Sequence, residues 1–188
     1  MEAILKKEII LNKTLCRVIG VSVFVVLMSL GAFVRIPLPF TPVPITLQTL
    51  FVLLSGAFLG VSLGITAQLS YIFLGVLGLP IFTGSGSGMV YLFGPTTGYL
   101  FGFILASFFV GRFIKYGRED LFSVFGILCM ADFMILACGI AWLKFSFGGS
   151  WAKLLIMGFI PFIPGDLFKA LVASVLYLRL KTRLKEIF

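Results

Sequence analysis

Histidine is absent from this 188-residue chain, which removes the commonest general base and the commonest metal ligand from its chemistry. Charge is scarce too: Asp, Glu, Lys and Arg make up 12% of the residues, and the 76 residues from Ile36 to Gly111 contain none of them. At about 20 apolar residues per span, that uncharged run alone holds roughly three transmembrane helices. Cysteine is limited to Cys16, Cys129 and Cys138, all inside or beside apolar stretches. An odd total in that setting argues against a disulfide framework and for small packing residues. There is no G-x-x-x-x-G-K-S/T phosphate loop, no H-E-x-x-H, no G-x-S-x-G elbow and no cysteine pair at metal spacing. The chain is therefore expected to be no enzyme, to have neither a catalytic nor a metal site, to carry no cofactor and to hydrolyse no ATP.

What the chain has in quantity is apolar side chain: 60% hydrophobic residues, 22 Phe and a mean hydropathy of +1.17. No water-soluble arrangement of core and surface at this length produces such values. The expected fold is an all-α polytopic integral membrane protein, a single domain over residues 1–188, multi-pass in the cell membrane. Hydropathy read with Gly and Pro punctuation places six helices, near Thr14 to Val34, Ile45 to Gly60, Ser62 to Leu77, Thr96 to Arg112, Leu121 to Leu143 and Ala152 to Leu180. The basic N-terminus ahead of the first span superficially resembles a secretory signal. The apolar stretch is too long for one and lacks a small-residue cleavage site, so it is expected to remain as a span. The second and third spans are short and joined almost without a loop, which predicts a tight antiparallel hairpin with Gly60 and Gly64 at its turn.

The basic residues set the orientation. One side of this arrangement gathers Lys6, Lys7, Lys13, Arg17, Arg112, Lys115, Arg118, Arg179, Lys181, Arg183 and Lys185; the other holds only Arg35, Lys144 and Lys153. By the positive-inside rule both termini are cytoplasmic. Trp142 and Trp151 flank the last outer loop, where an aromatic belt belongs. The net charge of +8 follows from the cytoplasmic loops and implies a bilayer, not a nucleic acid, as partner.

Two outer connections stand out. In Ile36-Pro-Leu-Pro-Phe-Thr-Pro-Val-Pro44, alternating prolines fix φ and forbid helix, so the segment should be extended and stiff. In Gly78 to Pro95, Gly84, Gly86 and Gly88 admit backbone geometries closed to other residues. Such a loop either presents bare N–H groups to a small ligand or is a plain connector.

The charged pair in the last span is the default functional site. Asp166 and Lys169 share one helical face at a spacing of three, and a charge at membrane depth costs at least about 2.5–3.5 kcal/mol on insertion scales. Pro164 and Gly165 mark a helix start or a kink, and a carboxylate in the turn that follows is favoured by the unpaired N–H groups there. Helix capping is thus one reading of Asp166. Lys169 opposes the dipole at that position, so the combination points to ligand contact. Gln48 lies near the outer end of the second span at a similar depth, as a ligand group or as interhelical glue. Gln68, and Gly94, Gly98 and Gly102 at every fourth residue, read as packing, and Asp132 in the fifth span as structural. A carboxylate pair of Asp132 and Asp166 could in principle serve an intramembrane enzyme, which the missing histidine and the adjacent Lys169 argue against.

Pro42-Val-Pro-Ile-Thr-Leu-Gln-Thr-Leu50, Gly78-Leu-Pro-Ile-Phe82 with its glycine run, Gly94-Pro-Thr-Thr-Gly-Tyr99 and Pro164-Gly-Asp-Leu-Phe-Lys169 together resemble the BioY family. Four ordered motifs over nearly the whole chain carry the resemblance. It implies the biotin-binding S component of an energy-coupling-factor (ECF) vitamin importer. Such a protein is a six-helix N-in bundle that captures one biotin near the outer face, partnered by a transmembrane coupling subunit and two cytoplasmic ATPases. On that basis Asp166 accepts from the ureido N–H groups, and Lys169 or Gln48 donates to its oxygen. Phe40, Phe82, Tyr91 and Phe93 wall the rings, and the backbone over Ser85, Gly86, Ser87 and Gly88, or Arg35, meets the carboxylate tail. The two polar ends could be reversed, and the same frame could serve another small vitamin. Small residues four apart, frequent on the first helix of S components, make no clean pair here, because Gly20 faces Phe24 and Ser22 faces Val26.

Overall fold

The computed structural model describes residues 2–185, and side chains over 13–182. The side chains of Lys6, Lys7, Arg183 and Lys185, which enter the charge count, lie outside the described residues. Helix α1 (Glu2–Phe33) stops where the proline segment begins. That segment is extended as expected and also folds back on itself: strands β1 (Arg35–Ile36) and β2 (Ile45–Thr46) pair antiparallel, with Arg35 opposite Thr46. The pairing removes Ile45 and Thr46 from the helix expected to start there. The Leu47 N–H turns back onto the carbonyls of Gly31 and Val34 at 3.1 and 3.2 Å, and only then does helix begin.

Helix α2 (Gln48–Val76) reverses direction at Gly60, whose φ of 74° and ψ of −171° lie in a region that essentially only glycine enters. Its arms, 48–59 and 61–76, run antiparallel. Gln48 Nε2 donates to Tyr71 Oη at 2.7 Å and Gln68 Nε2 to Ser55 Oγ at 2.7 Å; in a straight helix Gln48 and Tyr71 would stand about 34 Å apart. The predicted hairpin is therefore present, and Gln68 packs inside it. Gly111 lets the next helix close on the turn, since a Cβ there would lie 2.6 Å from the Gly60 carbonyl carbon.

The glycine-rich loop contains a short 3-10 helix (Met89–Phe93) that its composition did not announce. Helix α3 (Thr97–Phe113) follows, then α4 (Leu121–Phe147), whose N-terminus is capped by Asp120 accepting from the Ser123 N–H at 2.7 Å. The last expected span divides into α5 (Trp151–Gly158) and α6 (Ile163–Lys185), bent by 46°. Pro161 supplies no N–H to continue α5, and Pro164 is tolerated in the first turn of α6 because its donor would be unused there.

Among the described residues three helices are long and apolar enough to cross a membrane, Lys13–Phe33, Gln48–Val76 and Leu121–Phe147, and the bent α5–α6 pair, taken as one span, makes four. Helix α2 packs on α1, α3 and α6, and α4 closes the bundle against α3 and α6. Gly98 and Gly102 bring α3 against Cys138 and Ile135 of α4, whereas Gly94 precedes the helix. At one end of the bundle Lys181 pairs with Glu119 at 2.7 Å and Lys115 reaches the Gly60 turn. At the other end lie the strand pair, the glycine-rich loop and the α5–α6 break.

Candidate functional site

The break before α6 places Asp166 in a first helical turn, its N–H bonded to the Phe162 carbonyl at 2.8 Å. Three residues later Lys169 reaches back to three oxygens, in an ion pair with Asp166 Oδ1 at 2.5 Å and hydrogen bonds to the Thr46 carbonyl at 2.9 Å and Thr49 Oγ1 at 2.6 Å. Both groups are interior, with Asp166 3% and Lys169 8% exposed. The ammonium is thus engaged by three protein oxygens, while the Asp166 carboxylate, beyond its ion pair to Lys169, has no hydrogen-bond partner at either oxygen. An isolated buried acceptor of this kind is costly and calls for a donor.

Gln48 opens α2 and is equally occupied. Its Nε2 donates to Tyr71 Oη, and its Oε1 accepts from Thr83 Oγ1 at 3.0 Å. Tyr71 Oη donates in turn to the Ile81 carbonyl at 2.9 Å, so one amide fastens the glycine-rich loop to the hairpin beneath it. Phe82 completes the attachment. It is fully buried against Gly75, stacked on Tyr91 with centroids 4.5 Å apart and edge-on to Tyr71 at 5.5 Å.

Asp166, Lys169, Gln48 and Tyr91 line one cavity of about 40 Å³, together with Tyr99, Phe103 and Phe162 among its apolar and aromatic walls. That volume admits a few water-sized molecules and falls well below the roughly 300 Å³ at which drug-sized ligand pockets begin. Phe82 sits behind Tyr91 and not on the cavity wall. Ser85 and Ser87 are exposed on the loop rim, with Ser85 at φ 59°, and Gly86 lies under the Tyr91 ring. Arg35 is exposed and rests against Gly84; Phe40 and Phe93 are also exposed, at the surface.

Wall residues that the sequence did not single out include Thr46, Thr49, Tyr71, Thr83, Tyr99, Phe103 and Phe162. A signal existed for the tyrosines, since a phenol inside an apolar span must find a hydrogen-bond partner. Tyr99 meets that need by donating to the Gly158 carbonyl at 2.7 Å, at the α5–α6 break.

Comparisons with known proteins bear on the family and the fold. The model of the BioY family matches residues 6–186. "Biotin transporter BioY" of Thermotoga maritima is 39% identical over 166 residues, 88% of this chain and 95% of that protein. "Probable biotin transporter BioY" of Pyrococcus horikoshii is 39% identical over 164 residues, 86% of this chain and 93% of that one. The crystal structure of the S-component for biotin from an ECF-type ABC transporter shares the fold at TM-score 0.85 and 27% identity, covering 91% of this chain and 93% of that one. Likeness that runs nearly from end to end in sequence, and again in fold, leaves one assignment: the chain belongs to the BioY family.

Proposed function

We propose that this protein binds biotin near the outer face of the cell membrane and delivers it inward as the S component of an ECF-type transporter. The observation that carries the reading is the unequal state of the buried pair. Lys169 is already engaged by three protein oxygens, whereas the Asp166 carboxylate has no hydrogen-bond partner beyond that ion pair, so the chamber asks its ligand for an N–H group. Biotin's ureido ring brings two. Tyr91, Tyr99, Phe103 and Phe162 supply the apolar and aromatic surface its bicyclic body needs. The tail carboxylate is then left at the rim, near the Ser85 to Gly88 backbone and Arg35.

In this reading residues 1–188 form one domain that crosses the bilayer six times, by α1, the two arms of α2, α3, α4 and the bent α5–α6 pair, with both termini cytoplasmic. The charge asymmetry between the two ends supports that orientation. Because the chain carries no nucleotide motif, the work of transport comes from a transmembrane coupling subunit and two cytoplasmic ATPases. The small cavity requires the glycine-rich loop to lift before biotin enters.

Calorimetric titration of the purified protein with biotin, thiamine and riboflavin tests the reading. Tight binding of biotin alone, lost by at least 100-fold in Asp166→Ala, is expected. Binding of another vitamin in place of biotin, or undiminished affinity in Asp166→Ala, would overturn it.

A further inference from the structure

The short helix inside the glycine-rich loop turns an apolar edge outward. Residues three apart eclipse one another in a 3-10 helix, so over Met89–Phe93 Val90 and Phe93 share one edge while Tyr91 lies on another. Tyr91 is turned inward, stacked on the buried Phe82. The outer edge carries Val90 at 83% exposure and Phe93 at 72%, with Met89 exposed beside them. A lid facing water with that edge needs polar side chains on it. Clustered apolar side chains left uncovered mark an interaction surface.

Two hydrogen bonds fix the depth of this edge. At its start the Gly88 N–H donates to the Gly75 carbonyl at 2.8 Å, so the short helix begins beside the last turn of α2, an apolar stretch long enough to cross a membrane. At its end Trp142 Nε1 donates to the Gly94 carbonyl at 2.9 Å, and tryptophan collects at the level of the lipid headgroups. Along α2, Leu69, Phe73 and Leu77 follow one another at intervals of four, on one helix face, and all three are exposed. This ridge faces lipid, and the Gly88–Gly75 bond brings Met89 to its upper end. The edge of the lid therefore continues a face that the bundle already gives to the bilayer.

We propose that the 3-10 helix is a membrane anchor for the lid: Met89, Val90 and Phe93 seat in the boundary between headgroups and acyl chains of the leaflet on the chamber side, while Ser87, exposed on the same loop, stays in water. Lipid is the occupant because the edge is continuous with the α2 ridge and carries no side-chain charge or hydrogen-bonding group with which a protein partner would be specified. A loop that lifts to admit a ligand then lifts out of lipid. The anchor itself needs no ligand, so it stands or falls separately from biotin capture.

The test places a tryptophan on the edge of the intact protein, reconstituted alone in phosphatidylcholine vesicles. Phe93→Trp keeps an aromatic ring in place, Val90→Trp is a second reporter, and Ser87→Trp marks the water side. Emission from Trp142 and Trp151 is subtracted using the unsubstituted protein, and Met89→Trp replaces either reporter that fails to fold. With acyl chains brominated near their carbonyl ends, the added emission of Phe93→Trp and Val90→Trp should fall by at least half, and iodide on both sides of the membrane should leave both nearly unquenched. Ser87→Trp should respond the other way. Iodide quenching of the two reporters to the extent seen for Ser87→Trp overturns the anchor and leaves the edge to a partner protein. Protection from both quenchers overturns it in favour of a second copy of this chain, and bromine quenching of only one reporter overturns an anchor formed by the whole edge.

Discussion

Lys169 Nζ lies 2.6 Å from Thr49 Oγ1, joining the second turn of α6 to the first turn of α2 across 120 residues of sequence. The same nitrogen holds Asp166 and the Thr46 carbonyl, so one cation fastens the last helix, the hairpin and the strand pair at a single point. Its removal acts on architecture and on the site together.

Lys169→Met should therefore be more damaging than loss of one ion pair on a surface. It strands the Asp166 carboxylate in the interior, a change that costs about 3–5 kcal/mol when one partner of a buried pair is deleted. Combining it with Asp166→Asn removes the stranded charge and should restore part of that stability without restoring biotin binding. Thermal unfolding in detergent beside calorimetry checks this. A double variant less stable than Lys169→Met would show that the pair is not coupled as described.

The loop over the cavity is held at two places that can be released separately. Tyr71→Phe removes the hydroxyl that accepts from Gln48 and donates to Ile81, at about 1–3 kcal/mol for the polar groups left unpaired. Phe82→Ala removes a fully buried ring, a change worth about 3–5 kcal/mol where the site does not collapse. Both should loosen residues 78–95, raising protease cleavage there and speeding biotin release in stopped-flow displacement. Slower release from either variant contradicts a lid held by these contacts.

Much of this was legible in the sequence because it depended on single residues with strong local consequences. Charges at membrane depth marked Asp166 and Lys169, glycine marked the reversal at Gly60, and alternating prolines marked the extended segment. What was hidden was pairing over distance. Nothing in Ile45-Thr46 announces that the strand pair will take them from α2, and no local pattern says that Lys169 will donate to Thr49. Gln48 shows the same limit: its depth was readable, but its commitment to Tyr71 and Thr83 depends on how a hairpin and a loop meet. The bend before α6 was signalled by Pro164 and Gly165, yet its angle follows from packing against α4.

The reversal at Gly60 offers a prediction with its own control. Any Cβ at φ 74°, ψ −171° is strained, at a cost of order 1–3 kcal/mol, so Gly60→Ala should lower the thermal midpoint. Gly126, inside α4, has open space where a Cβ would go, and alanine is favoured over glycine in a helix by roughly 0.5–1 kcal/mol. Gly126→Ala should then be neutral or stabilising. Equal effects of the two substitutions would mean that the turn is not set by backbone geometry.

Orientation can be read by chemistry from either side of the membrane. Ser87 is exposed on the glycine-rich loop, at the end of the bundle that holds the cavity, and Tyr116 is 75% exposed between α3 and α4, at the end that holds Lys115, Arg118 and Lys181. The cluster of cations near Tyr116 is retained on the cytoplasmic side by the positive-inside rule. A membrane-impermeant maleimide applied to intact cells should therefore label Ser87→Cys and leave Tyr116→Cys unmodified until the cells are lysed. Cys16, Cys129 and Cys138 are only partly accessible, and the unsubstituted protein gives their background directly. Labelling of Tyr116→Cys from outside would invert the topology and place the cavity mouth toward the cytoplasm, where capture of an external vitamin is impossible.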